Sequence, residues 1–352
     1  MMSDARVQEA VPVPEQTTGN TKAKRDDEQF TSPTNPVERG KGSFPGLRQA
    51  LTALGPVHAC AALLLSANSY AWGPLGHELA GKISAEYLTR DTRERIADIL
   101  DVDELTADDL AQASTWADRM RSDPSSFWQR DAGPLHYVDI PPGTPVQRRR
   151  ISRRGDALVA LSDFREQLIS EDTSQTQRAL ALRFAIHIVQ DLHQPLHVGN
   201  GQDRGGNQVK VEVYGKNSNL HRLWDSQVLY SAGRSERQWL SYLRRQGLLR
   251  PPVTQDADPL VWIEESIALR DRLYPAPKRV KADYMRRHLP YAEVRIAQAG
   301  IRTAAWLNAT LDSRARNSRA LDHRGAESGS DESTPLSPSK ESWWRRLLKR
   351  FE

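Results

Sequence analysis

Apolar residues recur at helical spacing over most of the chain from residue 76 onward. Leu158, Leu161, Phe164 and Leu168 are three or four residues apart, which places their side chains on one face of a helix. The same spacing predicts further helices over 177–193, 236–246, 259–274 and 283–311.

One segment, 208–214, alternates apolar and polar residues instead. Its Val209, Val211 and Val213 are two residues apart, the period of a strand with one buried face. No internal repeat is visible in the sequence. The pattern therefore predicts a single all-α, multi-helix domain over 72–312 with one short β-hairpin.

Both ends of the chain lack this periodicity. Residues 1–45 are rich in Pro, Thr, Glu, Lys and Gly, and residues 313–342 are rich in Ser, Arg, Asp and Pro. Such segments bury too little apolar surface to fold, so we predict a disordered leader and a disordered linker.

The last ten residues, 343–352, place aromatic and aliphatic side chains on one helical face with Arg and Lys between them. This favours a basic amphipathic helix at an anionic membrane surface, with a disordered end as the alternative.

Residues 46–71 are typical of a signal peptide. Arg48 precedes an apolar stretch that runs to Leu65, and Ser69-Tyr70-Ala71 has small residues at its first and last positions. We expect cleavage before Trp72 and export to the periplasm or the medium. A membrane-spanning helix is the alternative, but the stretch contains a proline and a histidine and is short for a span.

Charge and cysteine content bear on the substrate of the domain and on what stabilises it. The formal net charge is +4 and the pI about 9.2, but residues 72–312 contain 33 Lys and Arg against 32 Asp and Glu. The net charge of the domain therefore does not by itself indicate a polyanionic substrate. Cys60, the one cysteine, lies in the signal segment, so the mature chain would have no disulfide and would depend on its core and on bound metal for stability.

Two pairs, His187 with Asp191 and His221 with Asp225, have histidine and aspartate four residues apart, hence on one helix face. A single pair of this kind usually forms a hydrogen bond and nothing more. The segment HIVQDLHQPLH adds His193 and His197, which gives three histidines and one aspartate in eleven residues. Imidazole and carboxylate without thiolate are ligands of catalytic rather than structural zinc, and several helices can aim such ligands inward.

Five separated motifs resemble the S1/P1 nuclease family. They are WGPLGH (72–77), WADRMR (116–121), LHYVD (135–139), HIVQDLHQPLH (187–197) and NLHRLWD (219–225). Their order and approximate spacing match the family over 72–312. The resemblance implies the helical fold that phospholipase C shares with S1/P1 nucleases. It also implies hydrolysis of single-stranded DNA or RNA to 5′-phosphate products, with 3′-nucleotidase activity.

The resemblance further implies three zinc ions per chain and a ligand set for each. The first set is His136, His187, Asp118 and Asp191; the second is His197, His221 and Asp225; the third is His77, Asp191 and the α-amine and carbonyl of Trp72. Asp191 would then bridge two ions. His193 is not a ligand in the family pattern, and we expect it to be structural.

The resemblance to the family also implies catalytic and substrate-binding roles for individual residues. Asp118 would orient the attacking water, and Arg121 would meet the charge that develops on the phosphoryl oxygens. Tyr137 and Asp139 match the family's base-stacking aromatic and base-reading carboxylate. Single-strand preference would follow, because a paired base offers neither its face nor its Watson–Crick edge.

Two alternatives stay open at the level of sequence. A zinc-dependent phospholipase C resembles this family in fold and ligands, although Tyr137 and Asp139 favour the nuclease. A non-catalytic, zinc-stabilised helical module is the second alternative, and the open coordination positions and Arg121 argue against it. Single-stranded nucleic acid or nucleotides are the expected substrates, and no obligate protein partner is implied.

Overall fold

The computed structural model of the protein describes residues 72–250, 256–275 and 279–312, all within one compact unit. The predicted leader (1–45), signal peptide (46–71), linker (313–342) and amphipathic tail (343–352) lie outside the described residues. Within the described ranges, no helix combines the length and apolar character that crossing a membrane requires.

Helices make up most of the described chain, which confirms the all-α class. They are α1 (Pro74–Ala85), α2 (Arg90–Leu100), α3 (Ala107–Arg119), α4 (Ala157–Ile169), α5 (Gln175–Asp191), α6 (Leu220–Arg222), α7 (Val228–Tyr230), α8 (Glu236–Arg245), α9 (Pro259–Arg270) and α10 (Ala282–Leu311). A π-helical turn, Leu223–Gln227, joins α6 to α7. Two short 3₁₀ turns, Gly133–His136 and Pro195–His197, precede two of the strands described below.

Polar caps fix where three of these helices begin. The side chains of Thr106, Ser174 and Ser235 accept a hydrogen bond from the backbone N–H three residues on, and that residue's side chain returns to the cap backbone. These reciprocal caps satisfy N–H groups that a helix start leaves unpaired. Two of the capped helices, α3 and α5, carry predicted ligands near their opposite ends, so the caps also set where those ligands lie.

Helix α1 packs against α3 and α10, and α5 packs against α3 and α4. Two glycines permit these close approaches. A Cβ on Gly81 would lie 2.5 Å from Ser114 Oγ and 2.7 Å from the carbonyl oxygen of Leu110, and a Cβ on Gly300 would lie 2.5 Å from Ile83 Cβ. Side chains at these two positions would push α1 away from its neighbours.

The predicted hairpin is present as β3 (Lys210–Val213) and β4 (Lys216–Asn219), with β5 (Arg279–Val280) parallel to β3. A second, parallel pair consists of β1 (Val138–Asp139) and β2 (Val198–Gly199). Segments of two residues are too short to show a period, so the sequence did not predict β1, β2 or β5. The β1–β2 pair matters most, because it aligns the chain just after His136 with the chain just after His197.

A buried charge network holds the turn after α5. Arg302 donates to both carboxylate oxygens of Glu265 at 2.6 and 2.7 Å, and Arg295 donates to the same carboxylate and to the carbonyl of His193. These two guanidinium groups hold the pKa of Glu265 below its ordinary value despite its burial. His193 contacts the carbonyl of Val189 and Arg302, which agrees with the structural role predicted for it.

The close contact at Gly300 gives a stability prediction. Gly300→Ala should lower the free energy of unfolding by about 1–3 kcal/mol, because the added methyl group overpacks α10 against α1. Urea denaturation of zinc-loaded protein measures the difference. Gly133→Ala is the matched control, since a Cβ there would meet nothing within 4 Å. Equal denaturation midpoints for the two variants would contradict this packing.

Candidate metal centre

The eight histidine and aspartate side chains predicted as ligands are all buried, each at most 9% exposed. They come from separate parts of the fold. His77 lies on α1, Asp118 on α3, His187 and Asp191 on α5, His136 and His197 just before β1 and β2, and His221 and Asp225 in the helical segment from α6 to α7. Three groups of these residues are close enough to hold a metal ion.

Three predicted ligands of the first ion, His136, His187 and Asp191, lie together, and the fourth, Asp118, lies beside His187. His136 Nδ1 is 3.0 Å from His187 Nε2, and these two atoms are 2.9 and 3.3 Å from Asp191 Oδ2. Asp118 Oδ1 is 3.8 Å from His187 Nε2. Ligand atoms of a tetrahedral zinc with bonds near 2.0–2.1 Å lie roughly 3.3 Å apart, so these spacings suit a shared cation.

The two carboxylate oxygens of Asp191 contact different histidines. Oδ2 faces His136 and His187, whereas Oδ1 is 3.3 Å from His77 Nε2. This arrangement places Asp191 between the first and third predicted sets. The Trp72 side chain is fully buried, and the N–H of Gly73 donates to the carbonyl of Asp225. The ligand role of the Trp72 α-amine stays a prediction.

The second predicted set lies along one helical face and an adjoining turn. The rings of His197 and His221 are 4.8 Å apart, and His221 Nε2 is 3.6 Å from Asp225 Oδ1. Asp225 belongs to the π-helical turn Leu223–Gln227. Such turns are frequent at functional sites, and here the turn carries a predicted ligand.

The remaining ring nitrogen of four of these histidines is held by an oxygen acceptor. The pairs, each with an N–O distance of 2.7 Å, are His77 with Gln190 Oε1, His187 with the carbonyl of Ser114, His197 with that of His136 and His221 with that of Gly205. Histidines that bind metal are oriented in this way by their outer neighbours. The sequence reasoning missed Gln190 and Ser114; adjacency to a predicted ligand was the available signal for Gln190.

Several buried atoms of the cluster have no hydrogen-bond partner. They are Nε2 of His77, His136, His197 and His221, Oδ1 of Asp191 and Oδ2 of Asp225. Buried polar atoms normally have a partner, because leaving one unpaired costs about 1–3 kcal/mol. A shared cation would satisfy such nitrogen and oxygen atoms together.

Burial also shifts the ionisation of the cluster. It raises the pKa of Asp191 to about 7 and that of Asp225 well above its ordinary value, and it lowers the pKa of His221 to about 4. Neutral imidazole is the form that binds metal. A divalent cation would favour the carboxylate form of both aspartates, since it supplies the positive charge that burial withholds.

Comparison with known proteins agrees with this geometry. The S1/P1 Nuclease family matches residues 72–312. The chain belongs to the S1/P1 nuclease family. Endonuclease 4 of Arabidopsis thaliana is 31% identical over 284 residues, 70% of this chain and 91% of that protein. Nuclease S1 of Aspergillus oryzae is 28% identical over 290 residues, 72% of this chain and 96% of that protein.

Family membership confirms the resemblance inferred from the five motifs and supports a nuclease activity. The residues predicted to serve catalysis border the cluster. Arg121 Nε is 2.9 Å from Asp118 Oδ1, and its side chain is 22% exposed, so it lies between the buried cluster and solvent. The structure thus brings the two predicted catalytic residues into contact.

The predicted base-binding residues lie at β1: Tyr137 directly precedes the strand, and Asp139 belongs to it. Tyr137 and Asp139 flank Val138, which is buried, so their side chains lie on the opposite side of the strand from it. Tyr137 is 41% exposed, which leaves its ring accessible. A Cβ on Gly199 would lie 2.2 Å from Asp139 Oδ1, so only glycine leaves room for this carboxylate.

Arg270 links β1 and β2 through hydrogen bonds to backbone carbonyls in β2 and directly after β1. This fully buried side chain donates from Nη1 to the carbonyls of Ile140, Val198 and Gly199 at 2.8–3.0 Å. Both short strands are therefore fixed at their ends by one guanidinium group. The sequence reasoning missed Arg270, and nothing local marks it, because an arginine at the end of a helix is usually solvated.

Replacing this arginine should destabilise the domain. Arg270→Met would remove this donor from the buried carbonyls of Ile140 and Val198 and leave the carbonyl of Gly199 with the N–H of Ile140, so it should lower the free energy of unfolding by about 2–4 kcal/mol. Arg272→Met, which changes an exposed arginine two residues away, should leave it nearly unchanged. Urea denaturation of both variants tests this, and matching midpoints would show that Arg270 does not hold the strands.

Proposed function

We propose that the protein is a zinc-dependent phosphodiesterase that cuts single-stranded DNA or RNA to 5′-phosphate products and acts as a 3′-nucleotidase. The observation that carries this proposal is the set of buried imidazole and carboxylate atoms that converge without hydrogen-bond partners in a member of the S1/P1 nuclease family. Relatives named endonuclease and nuclease over most of their length support it.

Zinc suits the residues present. The cluster offers nitrogen and carboxylate oxygen atoms close enough together to hold metal ions. Two of its groups, His136–His187–Asp191 and His197–His221–Asp225, are drawn from the first and second sets that the resemblance implies, whereas the third group combines His77 with Asp118 and His187. Zinc ions held there would neutralise phosphate charge and lower the pKa of bound water toward neutrality.

The chain's own residues perform the remaining tasks. Asp118 orients the attacking water, and Arg121 binds the phosphoryl oxygens as negative charge develops on them. Tyr137 stacks on an unpaired base while Asp139 accepts hydrogen bonds from its edge. Burial raises the pKa of Asp139, so it is protonated more readily than an exposed aspartate as the pH falls, and the protonated form could also donate to a base.

A parallel assay tests the reaction class. Zinc-loaded protein is incubated with single-stranded DNA, RNA, a 3′-nucleotide and phosphatidylcholine. Cleavage of the nucleic acids with 5′-phosphate products supports the proposal. Release of choline phosphate without nucleic-acid cleavage would favour a phospholipase C, and no hydrolysis at all would favour a non-catalytic zinc module.

Metal removal should affect stability as well as activity. The mature domain is expected to bind three zinc ions, and chelation should abolish hydrolysis and lower the melting temperature, because a metal that binds only the folded state stabilises it. Atomic absorption and thermal unfolding before and after chelation provide the two readouts. One ion per chain with full activity would contradict the three-ion proposal.

The N-terminus gives a separate prediction that depends on export. If the Trp72 α-amine is a zinc ligand, it must be free, because an amide nitrogen has its lone pair delocalised into the peptide bond. Protein with one extra Met before Trp72 should lose most activity while keeping its helical circular dichroism. Trp72→Phe with a free amine should retain more activity than this extended form.

N-terminal sequencing and zinc analysis accompany each of these variants. Removal of the signal segment would then complete the third metal site, so export and activation would coincide. Full activity in the Met-extended protein, with the extra residue verified, would rule out the amine as a ligand.

A further inference from the structure

A cavity of about 610 Å³ opens beside the cluster, and two of the cluster's carboxylates contribute to its lining. Asp118 and Arg121 line it from the end of α3, and Arg222 and Asp225 line it from the helical segment that begins at α6. The volume lies within the ~300–1,000 Å³ typical of sites for whole small ligands, so the cavity has room for more than one phosphate group.

The arginines around this cavity differ in what they contact. Arg119 donates to the hydroxyl of Thr115 and to the carbonyl of Gln112, and Arg121 is paired with Asp118. Arg222 has an exposed side chain that makes no hydrogen bond or ion pair with the residues the structure describes. Its guanidinium group is therefore free to take an anion from solvent.

The backbone of Arg222 is nevertheless fixed. Asn219 caps the short helix α6 and accepts a hydrogen bond from the N–H of Arg222 at 2.7 Å. Arg222 also directly follows His221, whose ring is held by the carbonyl of Gly205. The exposed guanidinium group is therefore attached to a backbone position that is held in place beside the cluster.

The charges of the other lining residues suit an anion once the cluster holds cations. Asp118 and Asp225 are then neutralised as ligands. Glu78 also lines the cavity, but it lies close to the cations Lys82 and Arg119. Arg119 lies near Glu78, and Arg121 and Arg222 remain as the other two cationic groups of the cavity, each with the planar fork that fits phosphate.

We infer that Arg222 binds a backbone phosphate next to the one being cut, and so gives the enzyme a preference for polynucleotides over 3′-mononucleotides. This inference rests on the proposed function. A mononucleotide carries only the phosphate at Arg121, whereas a longer strand offers a second phosphate to Arg222. The same contact makes binding of the longer strand more sensitive to salt.

The test compares Arg222→Ala, Arg222→Lys and the matched control Arg245→Ala, which removes an exposed arginine near the end of α8. Each is assayed on a short single-stranded oligonucleotide and on a 3′-mononucleotide. Arg222→Ala should lower the ratio of kcat/KM for the oligonucleotide to that for the mononucleotide by about tenfold. Its plot of log KM against log salt for the oligonucleotide should be shallower by about 0.7.

Arg222→Lys should retain most of the preference, because it keeps the charge, and Arg245→Ala should behave like the unaltered protein. An unchanged ratio in Arg222→Ala would overturn the inference. An equal loss on both substrates would also overturn it, since that would indicate damage to the neighbouring His221.

A binding measurement separates this inference from the proposed function. Fluorescence anisotropy with a non-hydrolysable phosphorothioate oligonucleotide should show about tenfold weaker binding for Arg222→Ala than for Arg245→Ala. If the unaltered protein hydrolyses neither substrate, the proposed function fails, and equal binding by both variants in this measurement rejects the role of Arg222.

Discussion

Eight histidine and aspartate side chains are buried together, and the rest of the structure depends on this constraint. Desolvating a carboxylate or leaving an imidazole nitrogen unpaired is costly, so such a cluster persists only where a compensating group binds. Zinc meets the requirement, because it accepts nitrogen and oxygen ligands at once. The burial that makes these side chains costly to leave unpaired thus also suits them to hold the metal ions that would provide the chemistry.

The surrounding fold keeps these ligands in place. Glycines at 81 and 300 let α1, α3 and α10 approach closely, which brings His77 toward the ligands on α3 and α5. Arg270 fixes the β1–β2 pair that aligns His136 with His197, and Glu265 with its two arginines fixes the turn between Asp191 and His197. The glycines and the three arginines are buried, so a loaded site would be rigid before substrate arrives.

The helices and the ligand candidates could be predicted from the sequence because both depend on local spacing. Short stretches of sequence suffice to recognise the apolar face at Leu158–Leu168 and the pairs His187–Asp191 and His221–Asp225. Arg270 and the β1–β2 pair could not be predicted, since their roles arise from contacts between residues more than fifty positions apart. Arg295 and Arg302 did offer a signal: they are seven residues apart, hence on one face of α10, which is otherwise largely apolar there.

The central claim is that metal ions occupy the points on which the unpaired ring nitrogens and carboxylate oxygens converge. The most direct measurement is an anomalous difference map recorded at the zinc absorption edge from crystals of the processed protein. The account predicts three peaks, each about 2.0–2.2 Å from its ligand atoms, with Asp191 shared by two of them. An ordered cluster without anomalous peaks, its imidazoles paired instead with water, would contradict it.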